Sequence, residues 1–334
     1  MTEPQNRIIL TGIKPTGTPH IGNYLGAIEP ALRRAGEYSQ AFFFIADYHA
    51  LNSVQDGETM KELTRTVAAT WLAAGLDPSK IHLYRQSDVP EIFELDTILN
   101  NFVPKGWMNK MHGYKAAIDK NRAAGKLDDF DVNMGLYNYP ILMTSDIIIF
   151  NATHVPVGRD QTQHVEIARD IAQRFNNQYN EGVFVLPEHV IADGIAELPG
   201  LDARKMSKSY GNTIPLHASR EVWEQSVRKI VTDSIEHTSE TVRETVLYKI
   251  YATLVSAEQA DQLATQLVEK IIGWKQAKDL LLEALETRFA EQTVRYQALL
   301  QNPEHIDSVL AEGAAKVRPL AQAQLAHVKQ VLGI

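Results

Sequence analysis

Residues 7–47 read RIILTGIKPTGTPHIGNYLGAIEPALRRAGEYSQAFFFIAD, and the order of patterns within them decides the fold class. RIILT is rich in β-branched residues, and AFFFIAD is almost unbroken in apolar ones. NYLGAIEPALRRAG, between them, carries apolar residues at helical spacing and stops at Gly36. Continuous apolar runs suit strands buried on both faces, so strand, helix and strand form a β–α–β unit with parallel strands. GIKPTGTPHIGN then falls at the carboxyl end of the first strand, where backbone N–H groups and a helix N-terminus favour an anionic ligand. Its spacing is neither the G-x-G-x-x-G dinucleotide fingerprint nor the G-x-x-x-x-G-K-[ST] phosphate loop, which disfavours an ordinary dehydrogenase or phosphate-loop ATPase.

The alternation continues outward. MKELTRTVAATWLAAG predicts a helix with Leu63, Val67 and Trp71 on one face, and IHLYRQ predicts a third strand. Residues 105–135 break the rhythm as an insertion, with Lys105, Lys110, Lys115, Lys120, Arg122 and Lys126 facing few acids, either as a solvated helix face or as a local basic surface. Beyond it come a helix starting at Pro140, a strand HVPVG, a helix TQHVEIARDIAQRF and a strand VFVLP. The expected architecture is therefore α/β: a Rossmann-like, doubly wound parallel sheet over residues 1–214, followed by an all-α domain over 215–334. In the latter, Ser256 and Gln259 form a capping box, Leu263, Leu267 and Ile271 share a face, and Leu281, Leu285, Phe289 and Tyr296 continue the helical spacing.

Composition narrows the class. The chain has 334 residues, 44% of them hydrophobic and 22% charged, ample for a globular core and for two domains. Its longest apolar run, YPILMTSDIIIF, is too short for a bilayer and carries an aspartate, and MTEPQNR lacks a signal-peptide pattern, so a cytoplasmic location without a membrane partner is expected. The absence of cysteine excludes disulfides, thiolate zinc sites, cysteine nucleophiles and cysteine-ligated iron–sulfur clusters. A net charge of −8 argues against coating nucleic acid through bulk positive charge, and DNA is not an expected partner.

A second polar segment, RKMSKSYGN at 204–212, places two lysines three residues apart in a loop of small residues, either as solvated surface or as a polyphosphate clamp. PTGTPHIGN resembles the HIGH signature of the class I aminoacyl-tRNA synthetases, and KMSKS at 205–209 matches their second signature letter for letter. GNYLGAI, YPILMTSDI, VPVGRDQTQHVEIARDIAQRFN and VTDS narrow the resemblance to the bacterial tryptophanyl-tRNA synthetases, from residue 11 to about 235. The C-terminal helices fit that family in length and helicity only.

The resemblance implies roles. Lys14, Pro15, Thr16, Gly22 and Asn23 would lie beside ATP, with His20 stabilising the phosphates in the transition state. Lys205, Met206, Ser207, Lys208 and Ser209 would close on ATP, the two lysines neutralising the departing pyrophosphate. Leu198, Gly158, Arg159 and Asp160 complete the nucleotide contacts. Tyr139, Met143 and Asp146 fall on one helix face. Asp146 would accept the indole N–H, although the residues alone also allow it to pair with an Arg or Lys. Val155 and Val157 would line the indole pocket, while His49, Tyr139 and Gln161 would hold the carboxylate and amine.

No protein nucleophile is needed. The carboxylate of L-tryptophan attacks the α-phosphate of ATP, supplied as its Mg2+ complex with no protein-bound metal. A terminal ribose hydroxyl of tRNA(Trp) then takes the acyl group, releasing AMP. The resemblance further implies anticodon reading by the helical domain and a homodimer, for which Phe102, Val103 and Trp107 are apolar surface candidates. Lys14 stands where glutamine is frequent, Arg159 where glutamate is, and Gly113 where glutamine is, suggesting a different pocket rim and more positive charge near ATP. The rival readings are a tyrosyl-tRNA synthetase, a non-catalytic tRNA-binding paralogue and a nucleotidyltransferase. SDIIIF and VPVGRDQ favour tryptophan.

Overall fold

The computed structural model describes residues 7–191, 198–232 and 238–334. Asp233 and Ser234 of the VTDS segment, and the side chain of Asp160, lie outside the described residues. Five parallel strands, β1 (Ile8–Ile13), β2 (Gln40–Ile45), β3 (His82–Arg85), β4 (His154–Val157) and β5 (Glu188–Ile191), form one sheet in the order β3-β2-β1-β4-β5. The order reverses direction between β1 and β4, which opens a crevice at the carboxyl ends of the strands.

The apolar runs alternate between two cores, one on each face of the sheet. Ile9, Phe43, Ile45 and Leu83 enter one core with Trp71 of the helix Gly57–Ala73. Ile8, Leu10, Phe42, Phe44 and Tyr84 enter the other, against the helices Glu91–Leu99, Met134–Ile148 and Thr162–Tyr179. Burial on both faces is why β2 shows no polar alternation.

Three sequence expectations shift. The helix carrying Tyr139 begins at Met134 rather than Pro140, because Asn133 caps it by accepting the Leu136 N–H at 2.8 Å. Pro140 inside it forfeits one backbone bond, to the Leu136 carbonyl. VFVLP is not a strand: Val183 and Phe184 are buried, but the Phe184 backbone pairs with the Asn176 side chain (2.8 and 3.0 Å), and β5 begins only at Glu188. Ile271 is 63% exposed, since its helix ends at Val268, whereas the capping box at Ser256 and the buried Leu263 and Leu267 stand as expected.

The helical part shares a core with the sheet rather than hanging from it. Leu281, Leu285, Phe289, Tyr296 and Ile306 belong to the same buried cluster as β1 and β2 residues. The last helix, Pro303–Leu332, covers β3 closely: a Cβ on Gly313 would stand 1.8 Å from the Leu83 carbonyl oxygen. Arg65 to Asp307, and Arg318 and Gln322 to Glu91, fix its position.

The insertion comprises the short helices Lys105–Met108 and His112–Ala123. Phe102 and Trp107 are not free surface there, because Phe102 packs edge-on against Phe175 at 5.0 Å and Trp107 lies under Arg174. Val103 is likewise partly buried against the same core. The large exposed apolar side chains nearby are Leu127, Phe130 and Met134.

His217 lies at the seam between the two halves, stacked on Tyr296 at 4.4 Å between ring centroids. Both its ring nitrogens are buried without a hydrogen-bond partner, and burial pushes its pKa down to about 4. The unfolded chain, with an ordinary histidine, therefore binds more protons than the folded one between pH 6.5 and about 4. Stability is complete above that window and is lost as pH falls through it. A His217→Phe variant should lose about 2 kcal/mol less than the wild type between pH 7.5 and pH 5, as read from urea midpoints.

Candidate active site

The carboxyl ends of the strands carry the functional side chains. β1 runs into Lys14 and the PTG turn, in which the Thr16 N–H bonds the Lys14 carbonyl at 2.9 Å. β2 runs into the short helix Asp47–Ala50, which holds His49, and β3 into Gln86. β4 is followed by Gly158. A cavity of about 320 Å3 opens among them, lined by Lys14, His49, Tyr139, Asp146, Gln161 and Gly158 and walled by apolar side chains that include Met143, Val155 and Val157.

Asp146 is fully buried in that cavity wall. Gln86 Nε2 donates to both its oxygens (2.8 and 3.1 Å), and His49 Nε2 lies 2.9 Å from Oδ2. The partners are thus an amide and an imidazole, not the Arg or Lys that the residues alone allowed. Burial pushes the Asp146 pKa up, opposed by its bonds to His49 and Gln86. A carboxylate offers more acceptor sites than these bonds use, which leaves capacity for a substrate donor. The Tyr139 hydroxyl is hydrogen-bonded to His164 Nε2, and Gly113 lies against the Tyr139 ring.

The first signature forms the N-terminus of a continuous helical segment. Ile21–Asn23 is α-helical, Tyr24–Ile28 is a π-helical bulge, and Glu29–Ala35 is α-helical again. His20 and Asn23 cap it reciprocally: His20 Nδ1 accepts the Asn23 N–H at 3.3 Å, and Asn23 Oδ1 accepts the His20 N–H at 3.1 Å. Burial, and then the charge of Lys208, push the His20 pKa down to about 4. The ring is therefore neutral at physiological pH, and with Nδ1 accepting, its proton sits on Nε2, a donor for phosphate oxygen. A Cβ on Gly22 would press on this ring at 3.0 Å and on Met206 Sδ at 3.4 Å, so glycine lets the two signatures meet.

The second signature is tied to the first directly. Lys208 Nζ donates to the Gly17 carbonyl at 2.6 Å, and Gly17 has a φ of +146° that L side chains rarely adopt. Met206 is buried, and its N–H bonds the Leu198 carbonyl at 3.0 Å. Asn212 organises the loop from within: its side chain donates to Asp202 and to the Lys205 carbonyl, and accepts the Ser207 N–H at 2.8 Å. Ser207 and Ser209 hydroxyls lie 2.9 Å apart. Segment 214–216 then runs beside the first signature, through Ile21 N–H to the Ile214 carbonyl and Leu216 N–H to the Pro19 carbonyl.

The structure thus gathers Lys14, His49, Tyr139, Met143, Asp146, Val155, Val157, Gly158 and Gln161 around one cavity, and joins His20 and Gly22 to Met206 and Lys208 beside it. Pro15 is buried in the turn after Lys14, Arg159 sits in the turn after Gly158, and Lys205 lies exposed in the second loop. Gln86, His164 and Asn212 were missed by sequence reasoning. Their signal is only contextual, a lone polar residue after a strand, on a helix or after a loop. Asp96 was missed as well; burial and the nearby Asp146 charge push its pKa up to about 6.

Comparisons with known proteins give the family. A family model described as tRNA synthetases class I (W and Y) matches residues 3–290. A tryptophan–tRNA ligase of Bordetella parapertussis is 48% identical over 332 residues, which covers 98% of this chain and 73% of that protein. One from Pseudomonas aeruginosa is 47% identical over 330 residues, with 98% and 73% covered. The crystal structure of tryptophanyl-tRNA synthetase from Campylobacter jejuni complexed with ADP and tryptophan aligns with a TM-score of 0.88 at 37% identity, covering 98% of this chain and 100% of that one. The paired signatures, the crevice they share and relatives of this similarity along nearly the whole sequence place the chain in one family: it belongs to the class I tRNA synthetases of the tryptophan and tyrosine branch.

Proposed function

We propose the following mechanism for this chain as a tryptophan–tRNA ligase, and the buried Asp146 in a cavity walled largely by apolar side chains is the observation that carries it. The indole enters between Met143, Val155 and Val157 and gives its N–H to Asp146, which Gln86 and His49 hold in place. A buried carboxylate without its donor is costly, so side chains lacking a donor there are rejected. ATP lies over the first signature, with Lys14, Pro15, Thr16, Gly22 and Asn23 beside it and Leu198, Gly158, Arg159 and Asp160 around the adenosine part.

The tryptophan carboxylate attacks the α-phosphate, the bond to pyrophosphate breaks, and tryptophanyl-adenylate forms. His20, neutral with its proton on Nε2, donates to the phosphate oxygens as they gain charge. Lys208 leaves the Gly17 carbonyl and, with Lys205, Met206, Ser207 and Ser209, closes on the leaving pyrophosphate. In this reading Mg2+ enters with the nucleotide as its complex. A terminal ribose hydroxyl of tRNA(Trp) then takes the acyl group and AMP leaves.

Residues 215–334 bind the anticodon arm in this reading, and two copies of the chain form the working enzyme. Among the described residues no helix is long and apolar enough to cross a membrane. Charging of bulk tRNA with tryptophan by the purified protein tests the reading. Charging with tyrosine instead, or with neither, would overturn it. Light scattering that gives a single-chain mass would overturn the dimer.

A further inference from the structure

We infer that Lys14 holds the carboxylate of the amino-acid substrate, in the cavity that it shares with Asp146. The inference rests on the tryptophan reading above and adds to it a residue that engages the reacting group. An amino acid enters this cavity as a zwitterion, and its carboxylate carries one full negative charge beside the positive ammonium. Of the side chains that the family resemblance offers for its carboxylate and amine, His49 has its Nε2 on Asp146 and Tyr139 has its hydroxyl on His164. Gln161 is a neutral amide. Among the described lining residues Lys14 is the one lysine or arginine.

Its ammonium lies over the Tyr139 ring, 5.2 Å from the centroid, and no carboxylate among the described residues pairs with it. Lys14 is exposed at the mouth of the cavity, and partial desolvation of its ammonium there lowers its pKa. A carboxylate entering from the substrate supplies a counter-ion. Lys14 also opens the PTG turn, its own carbonyl accepting the Thr16 N–H, so its backbone belongs to the phosphate-binding turn while its side chain lies in the amino-acid cavity. One carboxylate oxygen forms the new bond to the α-phosphorus, and the electron pair of the broken P–O bond leaves with pyrophosphate. Lys14 keeps its proton throughout and aims the nucleophile.

The test compares tryptophan with tryptamine, which is tryptophan without its carboxylate. In the Lys14→Met variant, tryptophan should bind about 10- to 100-fold more weakly, as expected for a lost hydrogen bond between charged groups. Tryptamine and ATP should each change by less than about threefold, a shift of under ~0.7 kcal/mol. Lys14→Arg, which keeps the charge, should restore part of the preference for tryptophan over tryptamine. Equal weakening of tryptophan and tryptamine would overturn the inference and make Lys14 a support for the Tyr139 ring. Weakened ATP with the tryptophan-to-tryptamine ratio intact would also overturn it, placing the ammonium on the triphosphate. A wild-type protein that does not bind tryptophan at all would instead bring down the substrate reading beneath it, which separates the two failures.

Discussion

Replacing Asp146 with alanine is expected to lower kcat/KM for tryptophan by ~100-fold or more, while the KM for ATP moves by less than about threefold. The asymmetry follows from position. Asp146 is wholly enclosed, and its side-chain hydrogen bonds among the described residues are to Gln86 and His49. Removing the carboxylate deletes the acceptor for the indole N–H and leaves the Gln86 amide and the His49 imidazole without their shared partner in a dry wall. The proposed nucleotide contacts lie on the PTG turn, the capped helix and the Lys208 loop, none of which takes its hydrogen bonds from Asp146. Asp146→Asn should be milder, because the amide retains one acceptor oxygen. Equal losses for tryptophan and ATP would remove Asp146 from indole recognition and leave it a structural group.

Replacing Lys208 with alanine should slow tryptophanyl-adenylate formation by ~100- to 1,000-fold, the range found when one donor to developing transition-state charge is lost. Tryptophan affinity should be nearly unchanged, since Lys208 does not line the amino-acid cavity. The link from Lys208 Nζ to Gly17 holds the second signature against the first, and it places the ammonium beside the capped helix, where the proposed mechanism develops phosphate charge. Its charge also helps keep His20 neutral, so the variant should raise the His20 pKa as well. Rapid-quench measurement of adenylate formation separates this step from binding. An unaltered rate would take Lys208 out of the mechanism.

Much of the fold can be read from residues 7–47 because strands buried on both faces leave a long apolar run, and because GIKPTGTPHIGN cannot continue either strand or helix. The two signatures were likewise visible as composition. What stayed hidden depends on tertiary pairing. VFVLP has the look of a strand, yet Asn176 captures its backbone. Pro140 looks like a helix start, yet Asn133 begins the helix earlier. The π-helical bulge at Tyr24–Ile28 has no sequence mark, although Tyr24 is held there by Gln292 and Phe289 of the helical half. Gln86 and His164 act by completing the bonds of Asp146 and Tyr139, and a single polar letter after a strand or within a helix cannot announce that. The helices after residue 215 looked like a separate body because their periodicity says which face is buried, not against what; Gly313 and Asp307 show that much of it is buried against the sheet and its helices.

In the proposed mechanism this crevice makes an adenylate of tryptophan. Amino-acid-dependent exchange of pyrophosphate into ATP, run on the purified protein with tryptophan, with tyrosine and with no amino acid, tests it most directly. Exchange driven by tryptophan alone is the predicted result, and exchange driven by tyrosine, or by neither amino acid, would contradict it.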